Sequence, residues 1–208
     1  MEPSATTNAC VVEVLHMASG GNDNDNQVLV EGNSRVKVVV LNRPQKYNAL
    51  SYQMVLLLTK ELKDFETKPG VNFVIVKAIG KTFCVGGDVV AFIRYLTIGD
   101  WTSGIQVYRR QLMLNYLIAK YNKPQVFLIN GAIMGGGAGL SMNARYKIVT
   151  ENTVFAMPEA ALGLFPDVGA SYFLSRLPGF LGKAYDLNNS CEDQNMNKLN
   201  LRLPHINS

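Results

Sequence analysis

Apolar positions along the chain alternate between two spacings. Residues 27–30 and 35–41 are dominated by Val and Leu, and Glu31-Gly32-Asn33-Ser34 between them has the Gly and Asn of a tight reversal, so the pair predicts a β-hairpin. Arg43-Pro44 interrupts regular structure. From Ser51 the spacing becomes helical: Met54, Val55, Leu58, Leu62 and Phe65 recur on one face, Ser51 offers a capping hydroxyl, and Lys68-Pro69-Gly70 ends the run. Residues 71–78, broken only by Asn72 and Lys77, and residues 125–130 are apolar runs of the length of a buried strand. Helical patterns lie between and after them. Strands alternating with helices predict an α/β architecture with right-handed crossovers, in which functional groups sit in loops at strand ends.

The two ends differ in kind from this middle. Residues 1–26 are mostly small and polar, finishing in Gly-Gly-Asn-Asp-Asn-Asp-Asn, and predict a flexible leader; residues 186–208 are Asn-rich without a sustained period and predict a disordered tail. Residues 27–185 remain as one core, and no internal repeat is visible. A chain of 208 residues with 48% hydrophobic and 17% charged residues has enough apolar material for one well-buried domain.

Charge and cysteine usage narrow the function classes. The 20 basic and 16 acidic residues are scattered, with no run of like charge, which argues against a nucleic-acid arm. Cys10, Cys84 and Cys191 fit neither a disulfide framework nor a zinc site, so a reducing compartment is expected. No apolar stretch approaches the ~20 residues of a membrane helix. The N-terminal segment lacks both an arginine-rich face and a sustained apolar core, so no targeting signal is evident, and a soluble intracellular protein is expected.

Two glycine clusters follow the two buried strands. In Phe83-Cys84-Val85-Gly86-Gly87-Asp88, paired glycines let backbone N–H groups approach a ligand, although a plain strand-to-helix turn would read the same way. In the segment 130–139, Gly131, Gly135, Gly136, Gly137 and Gly139 burden a helix-compatible stretch by about 1 kcal/mol each relative to Ala. Leu140 after Gly139 breaks the phosphate-loop pattern, and Leu140 and Met142 break the dinucleotide one. What remains is a helix start whose amides can hold developing negative charge, and the two loops together can supply two donors to one oxyanion.

A carbonyl polarised in this way needs a base or nucleophile. His16 and His205 lie in the leader and the tail, which removes Ser-His-Asp and Cys-His schemes, and Cys84 reads as a small packing residue. Carboxylates are left: Glu159 in Met157-Pro158-Glu159, and Asp167 in Phe165-Pro166-Asp167-Val168-Gly169, both in apolar company that raises a pKa or demands a partner. Each can equally be a residue of a helix start, where an acid complements the dipole.

The order Leu41-Asn42-Arg43-Pro44 with Asn48-Ala49-Leu50, then Phe83 to Asp88, Met134-Gly135-Gly136-Gly137 and Phe155-Ala156-Met157-Pro158-Glu159, resembles the crotonase (enoyl-CoA hydratase/isomerase) superfamily over about residues 29–182. With Gly163-Leu164-Phe165-Pro166-Asp167-Val168-Gly169 and Ser171-Tyr172-Phe173-Leu174, the chain is most similar to plant-type 3-hydroxyisobutyryl-CoA hydrolases. The resemblance implies a ClpP-like spiral of ββα units, and a thioester carbonyl held by the amides of Gly87 and Gly136. It implies Glu159 as the catalytic glutamate, Asp167 as the second acid, and Gly86, Asp88 and Gln111 beside the substrate. It also implies a CoA-contacting loop around Arg43, Lys46 and Asn48, and no cofactor beyond the CoA of the substrate itself.

Two departures stand out. Hydratases of the family carry a second glutamate where this chain has Gly139, and family hydrolases carry a glutamate where it has Gln111. The resemblance fades after Gly182, where relatives continue into a large helical C-terminal region, so a shortened chain is expected. The resemblance places such enzymes in valine catabolism, in mitochondria or peroxisomes. The alternatives are a hydratase or isomerase, and a non-catalytic CoA-binding fragment that self-associates or pairs with a full-length relative through exposed core surface.

Overall fold

The computed structural model describes residues 26–176. The leader before residue 26, the tail, both histidines, Cys10, Cys191 and the end of the 27–185 core lie outside the described residues.

The hairpin forms as the pattern predicts. Strands β1 (Val28–Gly32) and β2 (Val36–Leu41) pair antiparallel, Val28 opposite Leu41 and Gly32 opposite Lys37. Asn33 Oδ1 accepts from the N–H groups of Arg35 and Val36, both at 2.9 Å, an Asx-type reversal. Helix α1 (Tyr52–Thr67) is capped by Ser51, whose Oγ accepts from Met54 N at 3.0 Å, and it buries all five predicted positions.

Three long strands then add to β2 in parallel: β3 (Phe73–Ala78), β5 (Gln125–Ile129) and β7 (Tyr146–Val149), giving the order β1-β2-β3-β5-β7. Each is followed by a three-residue strand, and β4 (Thr82–Cys84), β6 (Ala132–Met134) and β8 (Val154–Ala156) build a second, fully parallel sheet. Helical segments complete the three units: α2 (Val89–Thr97) with α3 (Trp101–Ala119) after β4, α4 (Gly136–Met142) after β6, and a 3-10 turn (Pro158–Leu162) with α5 (Ala170–Leu174) after β8. This is the expected spiral of ββα units.

The short strands correct the sequence reading, which gave 83–88 as a glycine turn before a helix and 130–139 as a glycine-rich helix start, with no strand in either. Three residues are too few to display a period. Their central side chains, Phe83, Ile133 and Phe155, are fully buried and meet Val76, Phe127 and Ile129 of the long-stranded sheet in one core. Phe83 and Phe127 pack with ring centroids 6.2 Å apart. The strand expected over 71–78 starts at Phe73, because Asn72 N and Phe73 N both donate to Arg35 O. Among the described residues, no helix is long and apolar enough to cross a membrane.

Helix α4 lies against the β4 backbone, and Gly137 is the point of contact. A Cβ there would stand 2.2 Å from the Cys84 carbonyl oxygen and 2.8 Å from its carbon, both backbone atoms that cannot turn aside. Gly137→Ala is therefore expected to lower stability by about 1–3 kcal/mol or more, read as the midpoint shift in urea denaturation.

Candidate active site

The loop from Arg43 to Leu50 anchors the first glycine cluster. Asn48 is fully buried in the left-handed region, φ 54°, where Asn is better tolerated than most residues. Its Oδ1 accepts from Arg43 N at 2.8 Å, and its Nδ2 donates to Ile79 O at 2.9 Å and Thr82 O at 2.8 Å, joining the loop to the β3–β4 turn. Arg43 is 1% exposed, with Nη1 donating to Ala49 O at 2.6 Å and Nη2 paired with Asp88 Oδ2 at 3.1 Å. Asp88 Oδ1 also accepts from Ala91 N and caps α2. Arg43, Asn48 and Asp88 thus hold the loop's shape, and the Arg43 guanidinium is enclosed. Lys46 stays partly exposed on a cavity of about 410 Å³, with Gln53, Arg94 and Tyr95 on its wall.

Leu50 fixes the glycines through a parallel bridge: its N–H donates to Gly86 O at 2.7 Å, and its carbonyl accepts from Asp88 N at 3.1 Å. The Gly87 N–H between them is left without a backbone acceptor among the described residues, as is Gly136 N–H at the start of α4. The two amides are close. A Cβ on Gly136 would lie 3.1 Å from Gly87 N, and one on Gly86 would lie 2.9 Å from Gly136 N. The two donors inferred from separate loops stand side by side.

Glu159 sits in the first turn of the 3-10 segment after Pro158, as the capping reading proposed, and is 8% exposed. Gly135, at φ 47° and ψ −118°, makes room for it: a Cβ there would be 2.5 Å from Glu159 Oε1. Glu159 Oε2 is buried without a hydrogen-bond partner among the described residues. Burial, with a smaller push from Asp167, raises its pKa to about 7.

Asp167 does not act as a cap. Its Oδ2 accepts from Tyr108 Oη at 2.6 Å, and burial together with this carboxylate pushes the Tyr108 phenol up to about 12. The next residue, Val168, has φ 45°, and its Cβ would lie 2.5 Å from a Cβ on Gly139. Gln111, on α3 like Tyr108, covers the amide pair, with Nε2 2.2 Å from a Cβ position on Gly136 and Oε1 3.4 Å from one on Gly87. Cys84 is inert, its thiol pushed up to about 12 by burial.

Of the residues assigned to the thioester group, Gly86, Gly87, Gln111, Gly136, Glu159 and Asp167 converge, whereas the Asp88 carboxylate is engaged by Arg43 and the cap of α2. Sequence reasoning missed Tyr108 and Asn115, which lie on the same helix face as Gln111. Their spacing, three residues before and four after it, was the available signal. Among the described residues, no group of His, Cys, Asp and Glu could hold a metal.

Residues 36–189 match the enoyl-CoA hydratase/isomerase family. The chain is 55% identical over 157 residues to 3-hydroxyisobutyryl-CoA hydrolase 1 of Arabidopsis thaliana, covering 76% of this chain and 42% of that protein. With the mitochondrial 3-hydroxyisobutyryl-CoA hydrolase of Danio rerio it shares 41% identity over 174 residues, covering 83% and 45%. The chain thus spans less than half the length of these curated relatives. A crystal structure of an enoyl-CoA hydratase from Rhodobacter sphaeroides superimposes with a TM-score of 0.74 at 37% identity, covering 79% of this chain and 49% of that one.

The Glu159 carboxyl generates a stability test. Its folded pKa lies above the ordinary value of 4.5, so the folded state holds a proton that the unfolded state releases. That contribution is complete below about 4.5 and is lost as pH rises through about 7. Glu159→Gln removes the titration, so its melting temperature relative to the parent is expected to climb between about pH 5 and pH 8. Scanning calorimetry at the two pH values checks the sign.

Proposed function

The chain belongs to the enoyl-CoA hydratase/isomerase family, and on that footing we propose that it forms the acyl-CoA-binding and catalytic core of a thioester hydrolase. The substrate is 3-hydroxyisobutyryl-CoA or a related β-hydroxyacyl-CoA, and the products are the free acid and CoA. One observation carries the reading: two amides without an acceptor among the described residues, Gly87 and Gly136, stand beside a buried glutamate whose proton leaves near neutral pH.

In this mechanism the thioester oxygen accepts from both N–H groups, which stabilise the oxyanion as the carbonyl carbon becomes tetrahedral. Glu159 attacks that carbon or activates water against it, the C–S bond breaks, and the thiolate leaves with a proton. Asp167, steadied by Tyr108, orients the acyl hydroxyl or assists that proton transfer. Gln111 bounds the acyl site without adding charge. Lys46 and Arg94, beside the cavity, supply positive charge for the CoA end. The same reading assigns the reaction to valine breakdown, in mitochondria or peroxisomes.

Hydration of a double bond is the weaker reading, because Gly139 supplies no second acid and Val168 and Asn115 already occupy the space a side chain there would need. The fragment reading draws on exposed apolar side chains of α3 and its surroundings, including Ile98 at 75%, Trp101 at 61% and Tyr116 at 67%.

Incubating the purified chain with 3-hydroxyisobutyryl-CoA and a thiol reagent separates the three. Prompt thiol release is expected, with kcat/KM rising to a plateau through an inflection near pH 7. Glu159→Gln is expected to reduce turnover by ~10²-fold or more while CoA still binds. A fully active variant rules the mechanism out, binding without release favours the fragment, and water addition to an enoyl-CoA favours the hydratase.

A further inference from the structure

Tyr108 stands on α3 one turn before Gln111, whose side chain covers the amide pair, so the two share one face of the helix. From there the phenol reaches the loop before α5. Its Oη donates to Asp167 Oδ2 at 2.6 Å, and the other carboxyl oxygen, Oδ1, makes no hydrogen bond among the described residues.

The main chain at Asp167 is fixed from the opposite side. Its carbonyl accepts from Ala170 N at 2.7 Å, Gly169 turns at φ 89°, and Val168, 5% exposed, packs on Gly139 of α4. The backbone therefore sets where the carboxyl is, and Tyr108 sets how it is turned. Rotation about the Cβ–Cγ bond of an aspartate is broad and roughly two-fold, so tying one oxygen to a phenol leaves the other aimed in one direction. Asp167 is also close enough to Glu159 to contribute to its raised pKa, which puts the carboxyl within electrostatic reach of the reacting centre.

A β-hydroxyacyl thioester carries a hydroxyl on the carbon β to its carbonyl carbon. With the carbonyl oxygen held at Gly87 and Gly136, that hydroxyl is enclosed beside the amide pair and needs an acceptor there. We propose that Tyr108 is a specificity-determining positioning residue: by holding Asp167 Oδ2 it presents Oδ1 to the hydroxyl of a β-hydroxyacyl-CoA. This deepens the hydrolase reading and rests on it, and it selects, for Asp167, orientation of the acyl hydroxyl over proton transfer to the leaving thiolate. An acyl group lacking the hydroxyl leaves Oδ1 unpaired and is disfavoured for that reason.

The test compares 3-hydroxyisobutyryl-CoA with isobutyryl-CoA, which lacks only the hydroxyl, on the full chain. The parent is expected to favour the hydroxylated ester in kcat/KM by about tenfold or more. Tyr108→Phe removes one oxygen from a side chain that is 39% exposed, so folding is expected to be unaffected. It is expected to cut the preference by about threefold or more, with the rate on isobutyryl-CoA changed less than about twofold. In an Asp167→Ala background the same substitution is expected to have no further effect. No preference in the parent, an unchanged preference in Tyr108→Phe, an equal loss on both esters, or a full Tyr108 effect without Asp167 overturns the proposal. Equilibrium binding of the two esters to Glu159→Gln, with and without Tyr108→Phe, reads the same preference independently of turnover, and equal affinities for the two esters overturn the proposal there as well. A parent that releases no thiol from either ester fails the hydrolase reading alone, whereas a hydroxyl preference in binding that Tyr108→Phe reduces upholds the assignment of Tyr108.

Discussion

Everything at the site depends on two backbones meeting with no side chains between them. The segment 84–87 and the segment 135–137 approach so closely that a single Cβ on Gly86, Gly136 or Gly137 would fall within 3.1 Å of a backbone atom of the other segment. That contact sets two N–H groups next to each other and fixes α4 against β4. It also explains why the second sheet is made of three-residue strands: its task is to deliver loop ends to one place. The burial of Phe83, Ile133 and Phe155 supplies the apolar free energy that holds those ends there.

The chemistry follows from what surrounds the paired amides. Glu159 is desolvated enough to keep its proton to near neutrality, and it borders Gly135, whose lack of a side chain leaves room for Oε1. Asp167 is held from α3 by the Tyr108 phenol, whose Oη donates to its Oδ2. The two acids therefore differ through their neighbours: Glu159 is set by burial and Asp167 is tied to Tyr108. The Arg43–Asp88 pair works one layer further out, tying the loop that bridges to Gly86 to the cap of α2.

What the sequence made legible had strong local grammar. Val36 to Leu41, the five core positions of α1 and the buried run ending at Ala78 show clear periods, and Gly-Gly-Asp and Gly-Gly-Gly announce a backbone constraint even before a fold is known. The short strands stayed hidden because Thr82–Cys84, Ala132–Met134 and Val154–Ala156 are too brief to alternate visibly. The threefold ββα repetition was hidden for the same reason, since the units share geometry while their helical parts differ in length. Arg43 and Asp88 look like surface residues in a list, and only tertiary packing discloses that the guanidinium is enclosed. Tyr108 and Asn115 carried a helical-spacing signal, but no local rule distinguishes their face of α3 from its exposed one.

Val168 carries a consequence of another kind. A β-branched residue at φ 45° is strained by roughly 1–2 kcal/mol, and here it is kept so by packing onto a glycine that offers it space. A side chain at position 139 would press on Val168 and on the Asn115 amide at once. The strained turn before α5 and the bare helix turn beneath it are therefore matched to each other, and a larger residue at position 139 calls for a smaller one at position 168.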